Sequence, residues 1–445
     1  MILGRAAYLV NAGAPAVAAP DGASEAIRSL RFTSRILAIN APPKQGDTVI
    51  DLRGAWILPG LINAHDHLEL NHYGRRKFRD RYANATEWME DMRPRLASDS
   101  SIRAGVGYPL TERLFIGALK NLLAGVTTVA HHNPYYSELR RTMPIHVVRR
   151  YGWAHSFALE HGPAGARGEL GGEVALRWRR TSADVPFVVH LAEGVDDEAA
   201  SELPRLEALG CLAPNTIAVH GVAIDANGFS RMVKAGAGLV WCPGSNAFLF
   251  GRTAAVRPLL DGLDGHEAPA PVALGSDSRL TGSNDLLDEL RAASATHVAS
   301  TRELLAMVTT NAARLLRLPY AGRLSIGGPA DLVIVPNPGG VPGTGAPGLE
   351  AEREGSPQLP SRPEGLHDAI DAAAAALLAA RRCDVSLVVV GGRPLVGNAS
   401  LAALFHARGV VPRQLIVDGV TKIADSGLVR RIEGCPISEP GVGAR

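Results

Sequence analysis

Leu58-Pro59-Gly60-Leu61-Ile62-Asn63-Ala64-His65-Asp66-His67 is the stretch whose reading decides this chain. An apolar run ends in a polar cluster, and in an extended strand residues i and i+2 share one face about 7 Å apart. His65 and His67 therefore present two imidazoles to one side while Asp66 points to the other. Two neutral imidazoles on one face make half of a metal site. Taken alone, such a pair is as compatible with chance as with a site, so the rest of the chain has to decide.

Further runs of the same kind follow. Pro186–His190 ends in His190, Thr216–Gly221 carries His220, and Pro271–Asp277 ends in Asp277. From Ile57 to about Leu318, short apolar strands alternate with helical stretches such as Leu286–Ala295 and Thr301–Leu316, the texture of right-handed βαβ units in a parallel sheet. In a (β/α)8 barrel, polar residues at the carboxyl ends of the strands meet on the face where catalytic groups collect. Buried imidazoles and carboxylates there need a partner, a proton or a metal. Between Val126 and Val189 the strands are harder to place. Ile145–Val148 and Trp153–Ala158 are the candidates, and a count of eight is an expectation.

Arg31–Leu52 alternates apolar runs with turn residues, the pattern of a small antiparallel sheet. Ala330–Val335, Val385–Val390 and Gln414–Val417 return to buried-strand texture, so a second sheet region is expected from both chain ends. The division expected is a barrel over 57–322, with 1–56 and 323–445 forming that second region. Residues 337–365 hold six Pro and seven Gly and read as a loose surface insertion.

A chain of 445 residues suits one large barrel-type domain with a smaller partner. Its 46% apolar content, 20% charged content and net charge of +2 exclude disorder as the main state. They also argue against a dedicated nucleic-acid or membrane-surface binder, which would concentrate basic charge. Four cysteines without a CxxC pair indicate neither a disulfide scaffold nor a thiolate zinc site. The Ala-rich run Ala372–Ala380 is too short for a membrane span. Asn11, Gly13 and Pro15 interrupt the apolar N-terminus where a signal peptide needs continuity. The expectations are a cytoplasmic protein and a small-molecule partner, with no nucleic acid or membrane; a homodimer stays open.

LPGLINAHDH (58–67), HLAE (190–193), VH (219–220), WCPGSN (241–246), GSD (275–277) and GRLSIGGPADLVIV (322–335) together resemble the amidohydrolase superfamily, in its deaminase and chlorohydrolase branch. The resemblance spans most of residues 31–335. It implies a metal-dependent hydrolase on a distorted (β/α)8 TIM barrel, with a β-sandwich made from the two chain termini. Residue by residue, it makes His65, His67, His190 and Asp277 the metal ligands, with Glu193, His220 and Asp277 in catalysis. The chemistry suits those roles. A divalent metal lowers the pKa of its water toward ~7. Asp277 can take that proton, Glu193 can shuttle one to a substrate nitrogen, and His220 can donate a hydrogen bond to the tetrahedral oxygen or serve as a ligand itself. Two-metal relatives use a bridging lysine. None of this chain's five lysines sits at a strand end between 130 and 190. One divalent ion is therefore expected, with zinc favoured and iron also compatible.

Three further residues are candidate substrate contacts. His131 follows the apolar run VTTVA, Asn246 ends the CPGSN match and could instead cap the next helix, and Arg279 lies two residues beyond Asp277. A guanidinium there would suit a carboxylate or ring carbonyl, unless it pairs with Asp285 or Glu289. The charge run around Arg75–Arg79 reads as a solvated face, and Cys242 as core. The expected reaction is hydrolytic deamination of an amino-substituted heterocycle by metal-bound hydroxide. Hydrolysis of a cyclic amide or a chloro-substituted ring would use the same apparatus, and a barrel without catalysis, serving binding or assembly, is the alternative of another class.

Overall fold

The computed structural model describes residues 6–10, 27–140, 143–158, 172–262, 270–337 and 366–444. The Pro/Gly-rich insertion from residue 338 on, and most of the Met1–Ala19 stretch, lie outside the described residues.

Gly60 divides the apolar run that opens the fold. Trp56–Pro59 pairs antiparallel with Leu332–Val335. Leu61–Asp66 (β1) instead starts a parallel sheet beside Val126–His131 (β2). A Cβ on residue 60 would lie 2.2 Å from Thr127 Oγ1, so only glycine fits where the chain crosses between the two sheets. The remaining parallel strands are His146–Val147 (β3), Gly152–Trp153 (β4), Phe187–Leu191 (β5), Thr216–His220 (β6), Gly238–Trp241 (β7) and Val272–Leu274 (β8). They are hydrogen-bonded in two arcs, β1–β2–β3 and β4–β5–β6–β7–β8. The Asp277 amide donates to the His65 carbonyl at 3.1 Å, bringing the end of the second arc against β1. β3 and β4 are only two residues long, which is why periodicity alone places them poorly.

Strand residues alternate between two cores. Ile62, Ala130, Val188, Ile217, Val240 and Ala273 join one apolar cluster, with Ala312–Leu316 against it. Leu61, Val129, Phe187, Leu239 and Val272 pack on the other side with helices such as Leu110–Leu123 and Leu286–Ser294. The single helix expected over Thr301–Leu316 is two, Thr301–Met307 and Thr310–Leu315. Thr309 leaves helical geometry between them, its hydroxyl bonded back to the Leu305 carbonyl at 2.6 Å.

The chain ends form two more sheets. Ala7–Val10, Ser29–Phe32, Ile36–Ile39 and Thr48–Asp51 make a four-stranded one. It is not wholly antiparallel, because Ala7–Val10 inserts parallel to Thr48–Asp51. Leu332–Val335 and Trp56–Pro59 belong to a seven-stranded sheet with the C-terminal strands. Leu9, Leu30 and Phe32 of the first sheet share a core with Leu332, Ile334 and Leu387 of the second. Among the described residues no helix is long and apolar enough to cross a membrane.

Candidate metal centre and active site

The carboxyl ends of β1, β5 and β6, and the loop after β8, bring His65, His67, His190, His220 and Asp277 together. Donor atoms of His65, His190 and His220 lie within 4.8 Å of one another, as do those of His65, His67 and Asp277. His65 Nε2 is 3.3 Å from His190 Nε2 and 3.9 Å from Asp277 Oδ1, and His67 Nε2 is also 3.9 Å from that oxygen. All five residues are buried.

This donor set fits a divalent metal ion. His190 Nδ1 sits 2.8 Å from the His155 carbonyl, which can only accept, so the Nδ1 proton is fixed and the Nε2 lone pair faces His65. Two nitrogens at 3.3 Å need a proton or a cation between them. Burial, then the neighbouring imidazoles, push His65 and His190 well below the usual imidazole range, which disfavours the proton. Burial alone would raise the Asp277 carboxyl. His67, His220 and hydrogen bonds from Ser245 and the Ser278 amide hold it below its ordinary value instead. Its Oδ2 accepts from Ser245 Oγ at 2.8 Å and Thr281 Oγ1 at 2.9 Å.

Glu193 lies beside this cluster, its Oε1 3.6 Å from His220 Nε2. Burial pushes its carboxyl up to about 7, with His220 opposing and Asp277 adding to the rise. His220 Nδ1 is 2.9 Å from Asn246 Oδ1, and Asn246 Nδ2 donates to Thr253. In that arrangement the His220 Nε2 lone pair faces the other imidazoles, and donating from Nε2 requires a second proton, for which Glu193 is the nearest source.

The cluster forms one wall of a cleft of about 910 Å³ that opens to solvent. Trp88, Met89 and Leu249 give it an apolar side, and Asn84, Asn133 and Ser156 supply neutral polar groups. Its charged lining is Glu193, Glu198, Glu202 and Asp277, with no lysine or arginine among the described residues.

Three expected substrate contacts turn elsewhere. The Arg279 guanidinium forms a two-pronged pair with Glu439, at 2.8 and 2.6 Å, and its Nε donates to the Asn284 carbonyl. It is therefore held against the C-terminal segment, not by Asp285 or Glu289. His131 accepts from the Leu68 amide and faces Glu69 at 3.7 Å, since β2 alternation puts Ala130 on the interior side and His131 on the opposite one. Asn246 is fully buried and bonds His220, so it orients that ring and does not line the cleft. The charge run after His67 is not merely solvated: Arg75 Nε and Lys77 Nζ bond the Gly282 and Phe248 carbonyls.

His132, noted in the sequence beside His131, and His155, which the sequence reading did not single out, also belong to the site. His132 stacks on His190 with ring centroids 4.3 Å apart, and His155 lines the cleft just past β4. β4, only two residues long, is too short to fix a phase for His155. Lys120, Asn63, Asp66 and Asn71 form a buried polar layer beneath β1.

Residues 181–395 match the amidohydrolase family. The chain is 27% identical over 351 residues to a 5-methylthioadenosine/S-adenosylhomocysteine deaminase of Halobacterium salinarum, covering 68% of this chain and 78% of that protein. It is 24% identical to a 5'-deoxyadenosine deaminase of Methanobrevibacter smithii, covering 65% and 74%. Among solved structures it resembles a zinc-complexed atrazine chlorohydrolase from Arthrobacter aurescens TC1 (TM-score 0.65, 20% identity, 90% and 100% covered). A zinc-bound adenosine deaminase from Xanthomonas campestris is similar too (TM-score 0.62, 17% identity, 91% and 97% covered). Through residues 181–395 the chain is thus similar to the amidohydrolase family, and the curated relatives it resembles over about two thirds of its length are deaminases.

Proposed function

We propose that this protein deaminates an uncharged or cationic amino-substituted heterocycle, aminopurine nucleosides first, in a cleft at the carboxyl face of a closed (β/α)8 barrel spanning 57–322, with a β-sandwich built from 1–56 and 323–445. The chain is a hydrolase of carbon–nitrogen bonds other than peptide bonds. The observation that carries the reading is Glu193 3.6 Å from His220, beside the convergent donors of His65, His67, His190 and Asp277.

His65, His67, His190 and Asp277 would hold one zinc ion. When bound, it supplies the acidity that makes a water nucleophilic at neutral pH. Asp277, fixed by Ser245 and Thr281, accepts the proton that water gives up as its oxygen bonds to the sp2 carbon. Glu193 delivers a proton to the adjacent ring nitrogen, and the leaving amine departs as ammonia after taking a proton in turn. His220, aligned by Asn246, exchanges a proton with Glu193 and bonds the developing oxygen. Trp88 and Met89 offer a flat apolar wall to a ring. With no lysine or arginine among its described lining residues, the cleft offers no side-chain cation to a substrate carboxylate or phosphate. Methylthioadenosine is therefore expected to be preferred over S-adenosylhomocysteine.

The test is ammonia release and ultraviolet change on a panel of aminopurine nucleosides, pterins, pyrimidines and triazines. Glu193→Gln should keep its metal and lose ~10² to 10⁴ in kcat, the range of a general acid–base group. Absence of ammonia from every amino-substituted ring, or a Glu193→Gln enzyme with unchanged kcat, overturns the assignment.

A further inference from the structure

The donors converge because two chain segments far apart in sequence are held in register, and one buried ammonium touches both. Lys120, on the helix Leu110–Leu123, is fully buried. Its Nζ lies 3.1 Å from Asp66 Oδ2 and 2.8 Å from Asn71 Oδ1, both on the β1 side. The same nitrogen reaches Ser276 Oγ at 3.0 Å and the Asp277 carbonyl at 3.2 Å, on the β8 side. Asp66 separates His65 from His67, so its carboxylate fixes the strand end that carries both imidazoles. Asn63 reinforces the bridge, donating to Ser276 Oγ at 2.8 Å and accepting from the Ser276 amide at 3.0 Å.

Asp277 gives this contact its force. Its backbone sits at φ +53°, a left-handed conformation that non-glycine residues adopt only at a cost and keep only where their surroundings hold them there. Lys120 Nζ and Ser276 Oγ both bond its carbonyl, which fixes the peptide orientation and so the direction of the carboxylate. A buried ion pair alone is weak grounds for a stabilising role, because apolar packing often serves as well. A methionine could fill the volume, but it could not bond the Asp277 carbonyl.

We propose that Lys120 is a positioning residue that locks the β1 turn bearing His65 and His67 to the β8 loop bearing Asp277, so that the donors converge before any ion arrives. This rests on the metal reading given above. The experiment titrates metal-stripped full-length protein with zinc and with cobalt(II), reading affinity and the visible cobalt spectrum beside circular dichroism and the melting midpoint. Lys120→Met tests the residue directly. Lys120→Met with Asp66→Asn removes both charges together, so no buried carboxylate is left alone. Ser276→Ala is a mild third variant. Leu119→Ala, a buried neighbour on the same helix, controls for destabilisation.

The charge-neutral double variant should fold, bind zinc about 10- to 100-fold more weakly, as loss of groups that orient ligands typically does, and show an altered cobalt spectrum. Ser276→Ala should shift affinity in the same direction by a smaller factor, and carries the test if neither lysine variant folds. Leu119→Ala should melt earlier with unchanged affinity and spectrum. Wild-type affinity and spectrum in the double variant, or in Ser276→Ala should that be the one that folds, would reduce Lys120 to packing and overturn the proposal. Failure of the wild-type protein to bind either metal would instead overturn the metal reading itself.

Discussion

Replacing Arg279 by Met separates a substrate role from a structural one. The guanidinium and the Glu439 carboxylate are 8% and 0% exposed, and their two hydrogen bonds are 2.8 and 2.6 Å long. Glu439 also accepts from Arg382 Nη1 at 2.6 Å, and Arg382 is tied to Asp418. Removing one member of a buried pair costs about 3–5 kcal/mol, mostly for the charge left behind. Arg279→Met leaves Glu439 with Arg382, so the low end, about 3 kcal/mol, is expected. Glu439→Gln turns two guanidiniums toward a neutral amide and should approach about 5 kcal/mol. Because the two share one interaction, the double variant should cost about 2 kcal/mol less than the sum. Urea unfolding of the three variants measures this, and steady-state kinetics on the folded enzymes follows KM for a neutral and a carboxylate-bearing substrate. KM should not move for either. An unchanged unfolding midpoint in Arg279→Met, with KM raised only for the acidic substrate, would refute the reasoning and return Arg279 to the cleft.

Glu289 is fully buried, accepts from the Gly244 amide at 2.8 Å, and burial, partly offset by hydrogen bonds, pushes it up to about 7. A carboxyl raised in the folded state contributes stability that is complete below its unfolded pKa of ~4.3 and is lost as pH rises through about 7. The loss amounts to roughly 3 kcal/mol over that window, so Glu289→Gln should flatten the fall in unfolding free energy between pH 4 and 7; parallel curves for the two proteins would contradict it. Ala192 holds φ +53° between His190 and Glu193. Ala192→Val, β-branched and unsuited to that region, should lower both stability and kcat, whereas Ala192→Gly should retain kcat; equal loss in both variants would remove the backbone argument.

That His65, His67, His190, His220 and Asp277 meet was legible because HxH spacing and polar strand ends are local signals that need no knowledge of distant packing. Parallel pairing of the strands followed from βαβ texture for the same reason. What failed was direction. Arg279 sits two residues from Asp277, yet its partner, Glu439, lies 160 residues away on a segment with no readable link to the loop. His131 and His132 are adjacent, so the one facing His190 could be chosen only by knowing the phase of β2. Lys120 lies in a helix whose apolar run reads as core, and nothing in that run shows that an ammonium is met by Asp66 and the β8 loop. The apolar stretch Ile57–Ile62 reads as one strand, and only the close approach of Thr127 to Gly60 makes it two.

Period-2 alternation would misdirect one catalytic candidate outright. Ile217 and Val219 face the interior cluster while Ala218 faces the helices, so a regular strand would turn His220 outward with Ala218. Its φ of +76° turns it back, to a ring distance of 5.3 Å from His190. Ala192 at φ +53° does the same for Glu193, while Asp277, already in phase with the interior Ala273, takes its own φ of +53° at the strand end. Each such residue costs about 1–3 kcal/mol and persists only where its surroundings over-determine it. Those surroundings are buried polar groups. Glu202 Oε2 accepts from the Ala192 amide at 2.6 Å, Asn246 holds the His220 ring, and Lys120 and Ser276 hold the Asp277 carbonyl. Glu202, Asn246, Lys120 and Ser276, each of which looks dispensable beside the donors themselves, are thus the groups that let strand ends of the wrong phase deliver catalytic side chains to one point.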